Sequence, residues 1–85
     1  MPSNLSSDAY VAFVDALVAV RQERGINQQE LAARLGKLQS FVSKNERRQR
    51  RIDVVEFIAI AEALGLGAPD LLARLRAALP DQVKI

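Results

Sequence analysis

The 85-residue chain contains neither cysteine nor histidine. Their absence excludes zinc sites with Cys or His ligands, cysteine nucleophiles, Ser-His-Asp triads and disulfide scaffolding in one step. A cysteine-free chain is compatible with a reducing compartment, and a cytoplasmic location is the expectation. Net charge is also scarce: 12 Lys+Arg against 10 Asp+Glu leaves +2, too little to point to nucleic acid by itself. Long apolar runs are missing as well. The most apolar stretch, Ala9 to Val20, is 12 residues long and contains Asp15, too short to span a membrane. The opening MPSNLSSDAY lacks the basic region of a secretory signal, so neither export nor a membrane partner is expected.

What is present suffices for one small domain. Hydrophobic residues make up 49%, enough for a packed core, although a chain this short has little stability to spare. The charge is unevenly placed. Lys37 to Arg51 holds Lys37, Lys44, Arg47, Arg48, Arg50 and Arg51 against the single acid Glu46, a local net of +5. The remainder is net −3, so a concentrated positive patch sits on an acidic body.

Helical periodicity dominates, and no stretch alternates with period two. Ser6, Ser7 and Asp8 are N-cap types ahead of a stripe of Tyr10, Phe13, Val14 and Leu17, with Arg21 next; Gly25 closes this first helix. Asn27 caps a second helix, with Glu30 three residues on as in a capping box and Leu31, Ala32 and Leu35 as its stripe. Gly36 stops it. A third helix spans about Gln39 to Arg47, and the basic stretch after it reads as a loop. Asp53 caps a fourth, Val54 to Leu64, with Phe57, Ile58, Ala61 and Leu64 inward. Pro69 suits the first position of a fifth, which carries Leu71, Leu72, Leu75 and Leu79 and stops at Pro80. The division is an N-terminal arm over 1–7, a helical domain over 8–80 and a frayed tail over 81–85.

The stretch Ile26 to Arg48 carries the chemistry. Two short helices separated only by Gly36-Lys37-Leu38 cross steeply, as in a helix-turn-helix. On the third helix, Ser40, Ser43, Lys44 and Arg47 fall within about 100° of one another, while Val42, Asn45 and Glu46 lie opposite. The first face is small, polar, basic and free of acids, as entry into a major groove requires. Gln39 lies at the N-terminal end, where recognition helices probe bases. Its amide can pair with adenine at two points, and Lys44 can donate to guanine O6 or N7. Lys37, Arg47, Arg50 and Arg51 are the basic residues placed to meet phosphates.

This pattern resembles the lambda-repressor-like helix-turn-helix family, the phage repressors and their bacterial relatives. The resembling residues are Arg21; Asn27-Gln28-x-Glu30-Leu31-Ala32; Gly36; Gln39-Ser40-x-Val42-Ser43-Lys44-x-Glu46-Arg47; and Ala61-x-Ala63-Leu64-Gly65. They lie between Leu17 and Leu72, roughly two thirds of the chain. The resemblance implies an all-α, compact five-helix DNA-binding domain. It implies that Gln28 contacts the phosphate backbone and braces Gln39, that Gln39, Ser40 and Lys44 face bases, and that Ser43 lies near phosphates. It also implies that Arg21 and Glu46 form an ion pair between the first helix and the recognition helix. Family members usually bind palindromic operators in double-stranded DNA as homodimers, so a prokaryotic or phage transcriptional repressor is expected, with no cofactor.

Two positions depart from the family. Asn45 stands where an apolar or aromatic residue is usual; a hydrated place at the core edge is expected, so that Asn45→Leu would raise stability. Arg48 stands where Gly is common. A left-handed Arg costs on the order of 1 kcal/mol relative to Gly, and a helix that runs on slightly is the expected escape. Glu56 and Glu62 read as a solvated face. Val11, Val18 and Ile60 fall outside the expected core stripes and hint at a covered partner surface. The Gly65–Pro69 loop with the fifth helix is the first expectation for a dimer contact, the first helix the second. Three rival functions fit the sequence less well. An antitoxin binding both operator and a toxin protein would want a long disordered tail, and five residues after Pro80 speak against it. A helical module without a DNA role does not explain the acid-free face. An enzyme lacks a catalytic constellation.

Overall fold

Four of the five helices begin where a side chain or a proline relieves their free N–H groups. A computed structural model of the chain describes residues 7–85; residues 1–6, where most of the expected arm and Ser6 fall, lie outside the described residues. Ser7 Oγ accepts from the Tyr10 N–H at 3.2 Å and opens α1 (Asp8–Glu23). Asn27 Oδ1 accepts from the Glu30 N–H at 2.8 Å and opens α2 (Gln28–Leu35). Glu30 turns to Arg34 one helical turn on, at 3.1 Å, so this cap is one-sided. No side chain caps α3 (Gln39–Glu46), whose N-cap position is Leu38. A full capping box opens α4 (Val54–Ala63): Asp53 accepts from the Glu56 N–H at 2.7 Å, and Glu56 accepts from the Asp53 N–H at 3.0 Å. Pro69 lies in the first turn of α5 (Ala68–Ala77), which ends three residues before Pro80.

The ends of α1, α2 and α4 close through left-handed glycines, Gly25, Gly36 and Gly65. At Gly65 a side chain would also meet Arg24 Nη2 at 3.0 Å. That guanidinium caps α4: Arg24 Nε donates to the Leu64 carbonyl at 2.9 Å, and Arg34 donates to the Ala63 carbonyl at 2.8 Å. Two cations at a helix C-terminus suit its partial negative charge. The recognition helix closes by the same pattern without glycine. Gln49 N–H reaches the Lys44 carbonyl at 2.9 Å and Arg48 N–H the Asn45 carbonyl at 3.1 Å, with Arg48 at φ 60°. The expected run-on of this helix does not occur, because those two bonds require a left-handed residue after Arg47.

The core joins all five helices, with Val14, Val20, Leu64, Leu71 and Leu75 fully buried. Each such side chain contributes about 1.5–3 kcal/mol of transfer free energy. Ile60 is core at 4% exposure, whereas Ile58 is 41% exposed. The inward stripe of α4 is Phe57, Ile60, Ala61 and Leu64, the i, i+3, i+4, i+7 spacing of a buried helix face. Leu72 is likewise outside the core. Val11 and Val18 are half-buried. Past α5 the tail is exposed, and Arg76 donates to the carbonyls of Pro80 and Asp81 at 2.9 Å each. Among the described residues, no helix is long and apolar enough to cross a membrane.

Candidate nucleic-acid interface

α3 packs against both α2 and α1, and its inward residues fix which side faces out. Val42 and Asn45 are buried; Gln39, Ser40, Lys44 and Arg47 are exposed; Ser43 is half-buried at the boundary. The outward face therefore carries an amide, hydroxyls and cations, and no carboxylate.

The position of α3 is set by a buried charge pair. Arg21 Nε donates to Glu46 Oε2 at 2.6 Å and its Nη2 donates to Oε1 at 2.9 Å. A third bond, from Nη1 to the Ile26 carbonyl at 2.8 Å, ties the same guanidinium to the α1–α2 connection. Glu46 Oε1 also accepts from Gln28 Nε2 at 2.9 Å, and Gln28 Oε1 accepts from Gln39 Nε2 at 3.4 Å. One hydrogen-bonded chain thus runs from the core to the exposed tip of the recognition helix.

The loop after α3 is more ordered than its composition suggests. Arg50 meets Glu56 at both guanidinium ends, Nη1 to Oε1 at 2.9 Å and Nη2 to Oε2. Its Nη1 also donates to Asn45 Oδ1 at 3.3 Å, and its guanidinium lies 4.7 Å from the Phe41 ring centre. The hydrogen bonds to Glu56 hold the Arg50 guanidinium above its ordinary pKa, while the Glu56 carboxyl is held below its ordinary 4.5 by Arg50 and then by the Asp53 N–H. Arg51 stacks on Tyr10 at 4.8 Å, and Tyr10 Oη accepts from the Ile52 N–H at 3.0 Å. Lys37 lies over Phe41 at 5.5 Å. Among the described residues Lys37, Lys44, Arg47, Arg48 and Arg51 make no ion pair, which leaves five cations without an acid partner on α3 and in the segments flanking it.

Three expectations change. Asn45 is not at a hydrated edge: it is 3% exposed and its carbonyl oxygen has a partner in Arg50. Glu56 is not a solvated residue, because the capping box holds it where Arg50 arrives. Arg50, expected as a free cation for phosphate, is paired with Glu56. Sequence reasoning also passed over Tyr10 and Phe41 as supports of this loop. For Glu56 the signal was present, since Asp53-x-x-Glu56 marks a capping box that fixes the acid beside the basic loop.

A sequence profile of the Helix-turn-helix family matches residues 17–71, well over half of the chain. The chain belongs to the lambda-repressor-like helix-turn-helix family. An XRE-family like protein from Pseudomonas syringae pv. tomato has 47% identity and a TM-score of 0.76, with 85% of this chain and 88% of that one covered. An uncharacterized HTH-type transcriptional regulator, y4dJ, of Sinorhizobium fredii is 36% identical over 53 residues, 62% of this chain and 69% of the relative. The clp gene regulator ClgR from Corynebacterium glutamicum shares the fold at a TM-score of 0.75 and 22% identity, covering 91% of this chain and all of that one. Family and relatives mark this helix-turn-helix chain as a DNA-binding transcriptional regulator and not an enzyme.

Proposed function

We propose that this chain is a sequence-specific repressor that works in the cytoplasm as a homodimer on a palindromic operator. α3 enters the major groove with Gln39, Ser40 and Lys44 at base edges. Gln28, Lys37, Ser43, Arg47 and Arg51 meet phosphates, and Arg50 braces the loop that carries Arg47 and Arg51. The observation that carries this reading is the outward face of α3, acid-free and ringed by cations that have no acid partner among the described residues.

The homodimer is supported by apolar surface. Val54, Val55 and Ile58 share the outer side of α4 at 75%, 74% and 41% exposure, and Leu72 on α5 is 54% exposed. A small domain gains by covering such a patch with a second copy, and a two-fold pair matches two half-sites about 34 Å apart. This extends the contact expected first, the Gly65–Pro69 loop with α5, to the outer side of α4 and disfavours α1.

Selection of bound sequences from random duplex DNA tests class and stoichiometry together. The expected outcome is a palindromic consensus bound by two copies. No enrichment would overturn sequence-specific binding, and a single asymmetric site bound tightly by one copy would overturn the homodimer.

A further inference from the structure

The hydrogen-bonded chain from Arg21 to Gln39 has a direction. A carboxylate gripped by a guanidinium accepts hydrogen bonds and donates none. Glu46 uses both oxygens on Arg21 and Oε1 again on Gln28. The amide of Gln28 can therefore present only its nitrogen to Glu46, which turns its oxygen toward Gln39. An amide oxygen also only accepts, so Gln39 must offer its nitrogen in return. An amide nitrogen carries two hydrogens. Giving Gln28 the one that lies away from the carbonyl leaves the other beside Oε1, and this donor–acceptor edge matches adenine N7 and N6.

We infer that Glu46, whose side chain lies behind the reading face, is a positioning residue that sets base preference: through Gln28 it fixes the amide polarity of Gln39 and tunes the domain to adenine. This rests on the proposed place of Gln39 at a base edge. Glu46 thus has a second task besides its ion pair. A glutamine at position 46 would fill the same space but would meet Gln28 with either its oxygen or its nitrogen, and the direction of the chain would be lost. Placing a carboxylate at position 28 restores it, because that group again offers Gln39 only acceptors.

The test uses the full chain and a duplex recovered by selection from random DNA. Binding is compared between this duplex and one in which the adenine facing Gln39 is replaced by guanine. The ratio of the two affinities is insensitive to uniform loss of phosphate contacts. It is expected to be about tenfold in favour of adenine for the natural protein. Gln39→Ala should bring it close to one. Glu46→Gln should lower it severalfold, and Glu46→Gln combined with Gln28→Glu should recover most of it. An unchanged ratio in Glu46→Gln, or no recovery in the double variant, overturns the inference while Gln39→Ala still shows its effect. An unchanged ratio in Gln39→Ala overturns the underlying base contact as well. If Glu46→Gln proves unfolded by circular dichroism, Gln28→Met decides: it leaves Arg21–Glu46 intact and cuts the chain, and a ratio that survives it overturns the inference.

Discussion

Two Arg–Glu pairs fasten the recognition helix, and burial divides their roles. The side chains of Arg21 and Glu46 are 9% and 14% exposed; those of Arg50 and Glu56 are 39% and 23% exposed. The first pair joins α1 to α3 across 25 residues of sequence and also serves the Ile26 carbonyl and Gln28. The second joins residues six apart and ties the loop after α3 to the first turn of α4, with Asn45 and Phe41 at the edge of α3 as its further contacts. A desolvated pair is costly to assemble and far more costly to break in half, whereas a pair in contact with water is screened. The comparison separates a contact that fixes where the reading helix lies from one that steers the chain after it.

The comparison breaks most sharply at Glu46. Glu46→Ala strands the Arg21 guanidinium in the core with only the Ile26 carbonyl as partner. The expected loss is about 3–5 kcal/mol, a large part of the total stability of a domain this size. Urea unfolding at pH 7 measures it, and a loss well below 1 kcal/mol would show that water reaches Arg21. The next effect is at Asn45, which joins the inner side of α3 to the outer pair. Asn45→Leu removes an acceptor for Arg50 and replaces a planar amide by a bulkier tetrahedral isobutyl group at a buried position. A decrease of about 1 kcal/mol is expected, against the increase that a hydrated edge position implies. The unfolding midpoint decides the sign.

The inner half of this arrangement was legible in the sequence and the outer half was not. Arg21 and Glu46 could be paired through the family pattern, and the helical phase of α3 separately placed Glu46 inward. Helix starts were legible because Asn27 and Asp53 act through neighbours three residues away, a local rule. The stretch from Arg47 to Arg51 reads correctly as a loop, but its composition, five residues with four cations, says nothing about which cation finds an acid. Only tertiary packing brings Tyr10 of α1 to the Ile52 N–H, and only the fold of the loop onto the start of α4 brings Arg50 to Glu56. On α4 itself, Ile58 and Ile60 were exchanged because apolar residues fill most of the helix and the stripe phase was ambiguous from periodicity alone.

Arg48 sharpens the contrast from the side of the backbone. It holds φ 60° at a turn that glycine occupies after α1, α2 and α4. Arg48→Gly removes about 1 kcal/mol of left-handed strain and should raise the thermal midpoint by roughly 4–8 °C. Base preference should not change. A midpoint that falls would mean that the Arg48 side chain makes a contact worth more than the strain.

The two neighbouring arginines of the loop offer a smaller and cleaner separation. Arg51 has no acid partner among the described residues, and Arg50 is committed to Glu56. Neutralising Arg51 should reduce the slope of log affinity against log salt by roughly 0.9 for one lost phosphate contact. Neutralising Arg50 should leave that slope nearly unchanged. Equal reductions would show that Arg50 leaves Glu56 for DNA.

The smallest effect concerns the outer pair alone and is read through pH. Arg50 and the Asp53 N–H hold the Glu56 carboxyl below 4.5, so the folded state favours its ionised form more than the unfolded state does. A group with a lowered folded pKa contributes stability that is fully present above its unfolded value. That contribution fades as pH falls from about 4.5 through the lowered folded value. The natural protein should therefore exceed Glu56→Gln in stability by a constant margin from pH 7 down to about 5, with the margin closing in more acid solution. The margin should also shrink in high salt, because water and ions reach this pair. Parallel urea titrations of both proteins across this range give the comparison directly. A margin that persists unchanged below the carboxylate range would mean that Glu56 acts through its capping-box hydrogen bonds, which the amide of Gln can only partly replace, and that its charge on Arg50 contributes little.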